Sequence, residues 1–332
     1  MAYDVVALGE LLIDFTCVSA DADGYPTMAA HPGGAPANFL AAVTKFGGKT
    51  ALLGKVGSDT FGRLLTGTLE KAGIETRGIV ASSDVFTTLA FVTLDEHGDR
   101  EFAFSRKPGA DTQLRFSELE LSLIDDTQAF HFGTLSLTDE PARATTYRAV
   151  AYAKTHGKLI TFDPNLRKEL RNDAQMRQRM MQMLSMADVI EPTLEEARII
   201  TGCTEISDVL RALHAAGPRL VVLTRDKDGA LFSFDGQILS AEGIDVPVVD
   251  PTGAGDTFAA ALACCIEENM QMEAAIAFCN CAGTLVCTKR GAIGMAIPTR
   301  EQVLDMMRLH PARLHMESLQ ALYEKEHKHE IA

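Results

Sequence analysis

Asp250-Pro-Thr-Gly-Ala-Gly-Asp256-Thr-Phe258 is the stretch on which the reading of this chain turns. Gly253 and Gly255 free the backbone to present amide N–H groups. The apolar run Phe258 to Ile266 then predicts a helix over Thr257 to Glu268. A glycine loop at a helix N-terminus is suited to an anion, because unpaired N–H groups and the helix dipole both favour negative charge. Asp256 stands at that junction and so sets a proton acceptor beside a bound phosphate. A small-molecule phosphotransferase needs such a carboxylate, whereas a passive phosphate binder does not. Capping of the helix by Asp256 would explain the aspartate but not the two glycines ahead of it.

Outward from this loop the chain alternates short apolar runs with helical patterns. Asp4 to Leu8, Thr50 to Gly54, Ala129 to Gly133, Leu159 to Asp163, Asp188 to Glu191 and Arg219 to Thr224 read as strands. Pro36 to Lys45, Thr60 to Ala72, Pro141 to His156, Met176 to Met186 and Thr193 to Thr201 read as helices. Repeated β-α units predict an α/β fold with a mostly parallel central sheet covered by helices on both faces. Two pieces break the rhythm. Residues 14–32 hold only short strand-like fragments, and residues 86–105 read as a hairpin turning at Asp95 to Asp99. Together they predict a small β-sheet lid over the ligand edge. The core is then expected over 1–13, 33–85 and 107–332, and the lid over 14–32 and 86–106. The tail from Arg313 reads as a solvated terminal helix, with His327-x-His329 a weak metal pattern.

With 332 residues, 46% hydrophobic and 23% charged, the chain has the composition of a globular enzyme. A net charge of −14 opposes nucleic acid as a partner. The start shows neither a basic region nor a cleavage site, so no signal peptide is expected. No apolar run is long enough for a membrane span. The seven cysteines include no Cys-x-x-Cys, and no Asn-x-Ser/Thr sequon occurs, which points to a reducing cytoplasm. Cys279-x-Cys281 reads as two buried thiols rather than a metal half-site. The P-loop, the Gly-x-Gly-x-x-Gly dinucleotide pattern and the protein-kinase motifs are all absent.

Gly33-Gly-Ala-Pro-Ala-Asn38 through Gly54-Lys-Val-Gly-Ser-Asp59-x-Phe-Gly62, together with the Asp250–Asp256 stretch, resembles the paired signatures of the ribokinase (PfkB) carbohydrate-kinase family. The likeness runs from about Val5 to Pro298. Gly9-Glu-Leu-Leu-Ile-Asp14, Phe130-His-Phe-Gly-Thr-Leu-Ser136, Phe162-Asp-Pro-Asn-Leu-Arg167 and Thr288-Lys-Arg-Gly-Ala292 are similar to its fructokinase branch. The resemblance implies a ribokinase-like three-layer sandwich with a β lid, often dimerising through that lid. It implies ATP, Mg²⁺ and a sugar as ligands, fructose first, with 2-keto-3-deoxygluconate or ribose as rivals. A catalytically weak sugar or nucleotide sensor is the reading of another class.

The same resemblance assigns residues. Asp256 matches the catalytic base, and Gly253, Ala254 and Gly255 the donors to developing phosphoryl charge. A helix N-terminus is expected to lower the pKa of that base. Asp14, Gly33, Gly34 and Asn38 match sugar contacts. Arg106 and Arg167 match basic residues reaching substrate or phosphate, with surface ion pairs as the competing account. Thr224, Gly229 and Asn280, with Gly253 and Gly255, match the nucleotide site. Glu196 matches a residue holding Mg²⁺ through waters. Asp250 and Thr252 resemble a K⁺ site beside the loop. Three departures stand out: Asp226 replaces the first glycine of Thr-x-Gly-x-x-Gly, Thr193 replaces the usual asparagine ahead of Glu196, and Arg171 stands near where related fructokinases often carry tryptophan.

Overall fold

The computed structural model describes residues 1–94, 100–289, 291 and 296–328. The strands along the chain are β1 (Tyr3–Leu8), β2 (Leu12–Ala20), β3 (Pro26–Gly33), β4 (Thr50–Gly57), β5 (Ile79–Ser82), β6 (Leu89–Leu94) and β7 (Arg100–Ser105). They continue with β8 (Thr127–Gly133), β9 (Leu159–Asp163), β10 (Val189–Ile190), β11 (Leu220–Thr224), β12 (Ala230–Phe234), β13 (Gln237–Ala241) and β14 (Leu314–Ser318). Ten of them form one sheet in the order β14-β13-β12-β11-β10-β9-β8-β1-β4-β5. From β11 to β5 every pairing is parallel; β12, β13 and β14 add an antiparallel edge.

The alternation of side chains explains the layers. In β1, Val5 and Ala7 enter the apolar cluster on one face of the sheet, while Val6 and Leu8 enter the cluster on the other. The first cluster takes Ala35–Lys45, Ala254–Glu267 and Met272–Val286 onto its side; the second takes Ala142–Thr155, Ala174–Leu184 and Ile206–Ala216. The central strands are buried on both faces, which is why they read as unbroken apolar runs. Because they are parallel, their carboxyl ends share one edge, where ligands bind in such folds.

The separate sheet, in the order β3-β2-β6-β7, is the predicted lid. Residues 14–32 prove to be most of a full hairpin rather than fragments: Asp14 of β2 lies opposite His31 of β3. Its turn is built by Asp21, whose Oδ1 accepts the N–H groups of Asp23 and Tyr25 at 3.0 and 2.8 Å. The predicted turn at Asp95 to Asp99 lies outside the described residues.

The lid is joined to the core by the Gly54–Gly62 motif. Asp59 caps the helix Thr60–Lys71 through Gly62 N–H at 2.8 Å. It also accepts the Thr87 N–H and hydroxyl at 2.8 and 2.9 Å, and that hydroxyl in turn meets Gly57 N–H at 3.0 Å. Thr87 leads directly into β6, so one aspartate fixes a core helix and a lid strand together.

The tail differs from expectation. It is not a lone solvated helix: β14 pairs with β13, and the helix Leu319–Glu326 then docks on Ile206–Ala216. Glu326 accepts Ser207 N–H at 3.0 Å, Arg211 stacks on Tyr323, and His327 pairs with Asp208 at 3.1 Å. His327 thus serves the fold, and His329 lies outside the described residues. Cys264, Cys265, Cys279 and Cys281 are buried free thiols, as expected. Among the described residues no helix is long and apolar enough to cross a membrane.

Asp59→Ala should lose the helix cap and both Thr87 bonds, a cost of about 2 kcal/mol in unfolding free energy. Urea denaturation measures this, and a loss below about 0.5 kcal/mol, the usual range for a surface substitution, would remove Asp59 from this role.

Candidate active site

The helix after the glycine loop begins earlier than predicted, at Ala254, with Gly253 as its N-cap at φ +80°. Only glycine takes that backbone at low cost. Asp256 therefore lies inside the first turn and does not cap it. Its carboxylate bonds sideways instead. Asn38 Nδ2 donates to Oδ2 at 2.7 Å, and Asn165 Nδ2 approaches Oδ1 at 3.4 Å. Ala254 N–H is taken by Pro251 O at 3.2 Å. A Cβ placed on Gly255 would meet nothing within 4 Å, so that flank of the turn is open.

The expected low pKa of Asp256 is not what the surroundings give. The residue is only 7% exposed, and burial pushes its carboxyl up to about 6; the Asn38 bond and the Arg167 charge oppose that rise, while Asp14 adds to it. Desolvation outweighs the helix terminus.

The lid and the start of helix Ala35–Lys45 meet above Asp256. Gly34 is that helix's N-cap at φ +114°, and a side chain there would collide with the carbonyl of Glu10. A side chain on Gly33 would collide with the carboxylate of Asp14. The two glycines thus let a lid strand and the end of β1 close onto one helix terminus. Asn38 follows one turn later, its N–H on Gly34 O at 3.0 Å and its side-chain Oδ1 buried without a partner among the described residues. Asp14, Asn38, Arg167 and Asp256 are brought together.

Arg106 is placed differently. It is buried, and its guanidinium is bound by Asp111 at 2.7 Å, Thr138 Oγ1 at 2.7 Å and Leu135 O at 2.8 Å. It is neither at the surface nor extended from it, and its burial comes with full pairing.

Acidic groups crowd the carboxyl ends of β9 and β10. Asp163 and the buried Glu191 follow the paired residues Phe162 and Ile190 of these parallel strands. Burial, then the charges of neighbouring carboxylates that include Asp256 and Glu196, push both well above the usual carboxylate range. Glu196 accepts Leu166 N–H at 2.5 Å and Thr193 N–H at 2.8 Å, closing a capping box with the Thr193 hydroxyl. The threonine departure therefore supplies a cap. Asp226 sits at φ +48°, in the left-handed region that aspartate reaches more readily than most residues. Gly229 adopts φ +88°, and a side chain there would strike the Ala241 carbonyl. Thr224 ends β11 at the same edge, while Asn280 Nδ2 donates to Glu242 O at 2.7 Å. Asp250 Oδ1 accepts Thr252 N–H and hydroxyl at 3.0 and 2.6 Å, and Oδ2 accepts Gly291 N–H at 3.2 Å. Among the described residues no three His, Cys, Asp or Glu converge as direct metal ligands.

In the sequence, Asn165 and Glu10 stand out only as parts of motifs. Asn165, at φ +38°, turns the chain so that its amide reaches Asp256. The Asp163-Pro-Asn sequence is its only local signal, because the contact spans the fold.

Comparison with known proteins agrees with this geometry. The model of the pfkB family carbohydrate kinases matches residues 2–300. Fructokinase-1 of Oryza sativa subsp. japonica is 37% identical over 319 residues, covering 91% of this chain and 97% of the relative. A fructokinase from Xylella fastidiosa with bound ATP superposes with a TM-score of 0.86 at 27% identity, covering 94% of this chain and all of the other. A ribokinase II-type protein of E. coli in complex with ATP and Mg²⁺ gives 0.86 at 28%, covering 93% and 100%. With its parallel sheet, β lid and glycine turn before Asp256, this chain belongs to the pfkB family of carbohydrate kinases.

Proposed function

We propose that this kinase is an ATP- and Mg²⁺-dependent fructokinase that makes fructose 6-phosphate. The observation that carries the chemistry is the buried Asp256 carboxylate. It lies in the first turn of the helix behind an open glycine turn and is held by Asn38 from the facing helix terminus. The choice of fructose rests on the names of relatives such as the rice fructokinase.

In this reading the sugar lies between Asp14 of the lid and Asn38, its hydroxyl on Asp256. As that oxygen bonds to the γ-phosphorus, the bond to the β-phosphate oxygen breaks and ADP leaves. Asp256 takes the hydroxyl proton. A carboxylate titrating near 6 is a weak base, and phosphoryl transfer is largely dissociative, so orientation matters more than basicity. The N–H groups of Gly253 and Gly255 would face the charge that develops, since that of Ala254 is taken by Pro251 O. The nucleotide would run along the Thr224, Gly229 and Asn280 side, and Arg167 would face sugar or phosphate.

Crowded carboxylates fit a hydrated divalent cation, with Glu196 and Asp163 holding its waters. Bound there, Mg²⁺ would neutralise phosphate charge. Asp250 and Thr252 would form the K⁺ site. A lid closed over the sugar excludes water and limits ATP hydrolysis. The outer lid face would join two copies into a homodimer. The free cysteines fit a cytoplasmic location.

Coupled ATP turnover against a sugar panel tests the reading. Fructose as the preferred acceptor supports it; preference for 2-keto-3-deoxygluconate or ribose moves the substrate, and silence on every sugar leaves a sensor. Asp256→Asn should lower kcat by about 10³-fold or more while ATP and sugar still bind by calorimetry. The sign of the pH effect follows from the raised pKa of Asp256: the base must be ionised, so wild-type kcat should fall as pH drops through about 6. The Asn variant should lack that limb, and its persistence would assign it to another group. Exchange of K⁺ for tetramethylammonium should slow turnover, and an unchanged rate would remove the cation site.

A further inference from the structure

Glu10 lies between β1 and β2 and is 3% exposed. The end of β1 presses onto the start of helix Ala35–Lys45 in three places. A Cβ on Gly9 would meet Pro36 Cγ at 2.5 Å, and one on Gly34 would strike the Glu10 carbonyl. The Glu10 carboxyl makes the third contact: its Oε1 accepts Ala35 N–H at 3.1 Å, satisfying a first-turn donor that the helix itself leaves open. Oε2 is buried with no hydrogen-bond partner among the described residues.

An unsatisfied buried oxygen is costly, so a carboxyl here is hard to explain as core packing. Burial pushes it up to about 7, with Arg167 and Arg106 lowering and Asp111 raising it. What the geometry shows it supplying is a hydrogen-bond acceptor for the Ala35 N–H. The helix it holds carries Asn38, whose N–H is bonded to Gly34 O and whose amide is bonded to Asp256.

We propose that Glu10 is a positioning residue for the sugar acceptor, setting the Gly33–Gly34–Ala35 turn and, through Asn38, the direction of the Asp256 carboxylate. This rests on the reading of Asn38 and Asp256 as acceptor-side residues of a sugar kinase. It adds a strut that touches neither sugar nor nucleotide.

The test compares Glu10→Ala, Glu10→Asp and Glu10→Gln in the full chain. Ala removes the acceptor and Asp withdraws it by one methylene, so each should raise KM for the sugar about tenfold, the scale of one buried hydrogen bond. KM for ATP should stay within about twofold, and thermal midpoints should show each variant folded. Gln keeps a carbonyl for Ala35 N–H and should restore the sugar KM. Hydrogen exchange over residues 33–38 should quicken in Ala and Asp but not in Gln. If Gln is as impaired as Ala, or KM for ATP rises in parallel, Glu10 is a general packing residue and the inference fails. If Ala does not fold, the contrast of Asp with Gln decides. If the wild type phosphorylates no sugar, the functional reading fails by itself and the exchange pattern alone decides Glu10.

Discussion

The hydrogen bond from Asn38 to Asp256 spans 218 positions of sequence and ties together two helix starts on which the site is built. One follows the diglycine turn at the lid, the other the glycine turn of the anion loop. A buried carboxylate needs partners to remain ionised. Asp256 finds them only if both starts and the loop carrying Asn165 and Arg167 are in place. Asp256, the Asn38 and Asn165 amides and the Gly253–Gly255 turn therefore cannot shift independently. Preorganisation of this kind lets a weak base serve a reaction that depends on orientation.

The lid shares in that coupling because the chain leaves almost no slack between β1 and β2. Gly9 packs on Pro36, Gly34 admits the Glu10 carbonyl, and Gly33 admits Asp14. Where β6 departs for the lid, Thr87 is held to the core by Asp59. These two crossings are hydrogen-bonded joints, so motion of the lid would be borne by β2, β3, β6 and β7 beyond them. Asp14 lies close to the first joint.

What the sequence disclosed follows the same physics. The parallel strands announced themselves because burial on both faces makes them continuous apolar runs, and the helix starts because glycine and proline mark them. β2 and β3 did not, since beyond Ile13 they are largely exposed, and Ser19, Asp21 and Gly24 give the stretch the look of a loop. The edge strands β12, β13 and β14 and helix Ile206–Ala216 went unread. Their burial is decided by neighbours distant in sequence, and β14 is mostly exposed. At the site, residue identities were legible but energetics were not. The helix terminus argued for a low pKa at Asp256, and desolvation, which only the folded packing reveals, outweighed it. Arg106 looked like a reaching cation until Asp111 closed on it.

Charge at the strand ends sets Asp256 apart from the other carboxyls near it, which bears on the base role proposed for it. Glu191 is buried and Asp163 half-buried, and desolvation with repulsion from neighbouring carboxylates pushes both well above the ordinary range. Asp256 is also buried, but its oxygens face the Asn38 and Asn165 amides, and Asn38 and Arg167 hold its pKa down to about 6. Similar groups in one pocket are thereby shifted to different extents by their partners, a pattern that separates a base from its neighbours. The crowding has a second consequence. A nucleotide adding bare phosphate charge to these carboxylates would be repelled, whereas one arriving with a hydrated divalent cation relieves the repulsion that already exists. In the proposed function the acidic cluster and the open turn would be complementary halves of one site, the first facing the metal's charge and the second the phosphoryl group's.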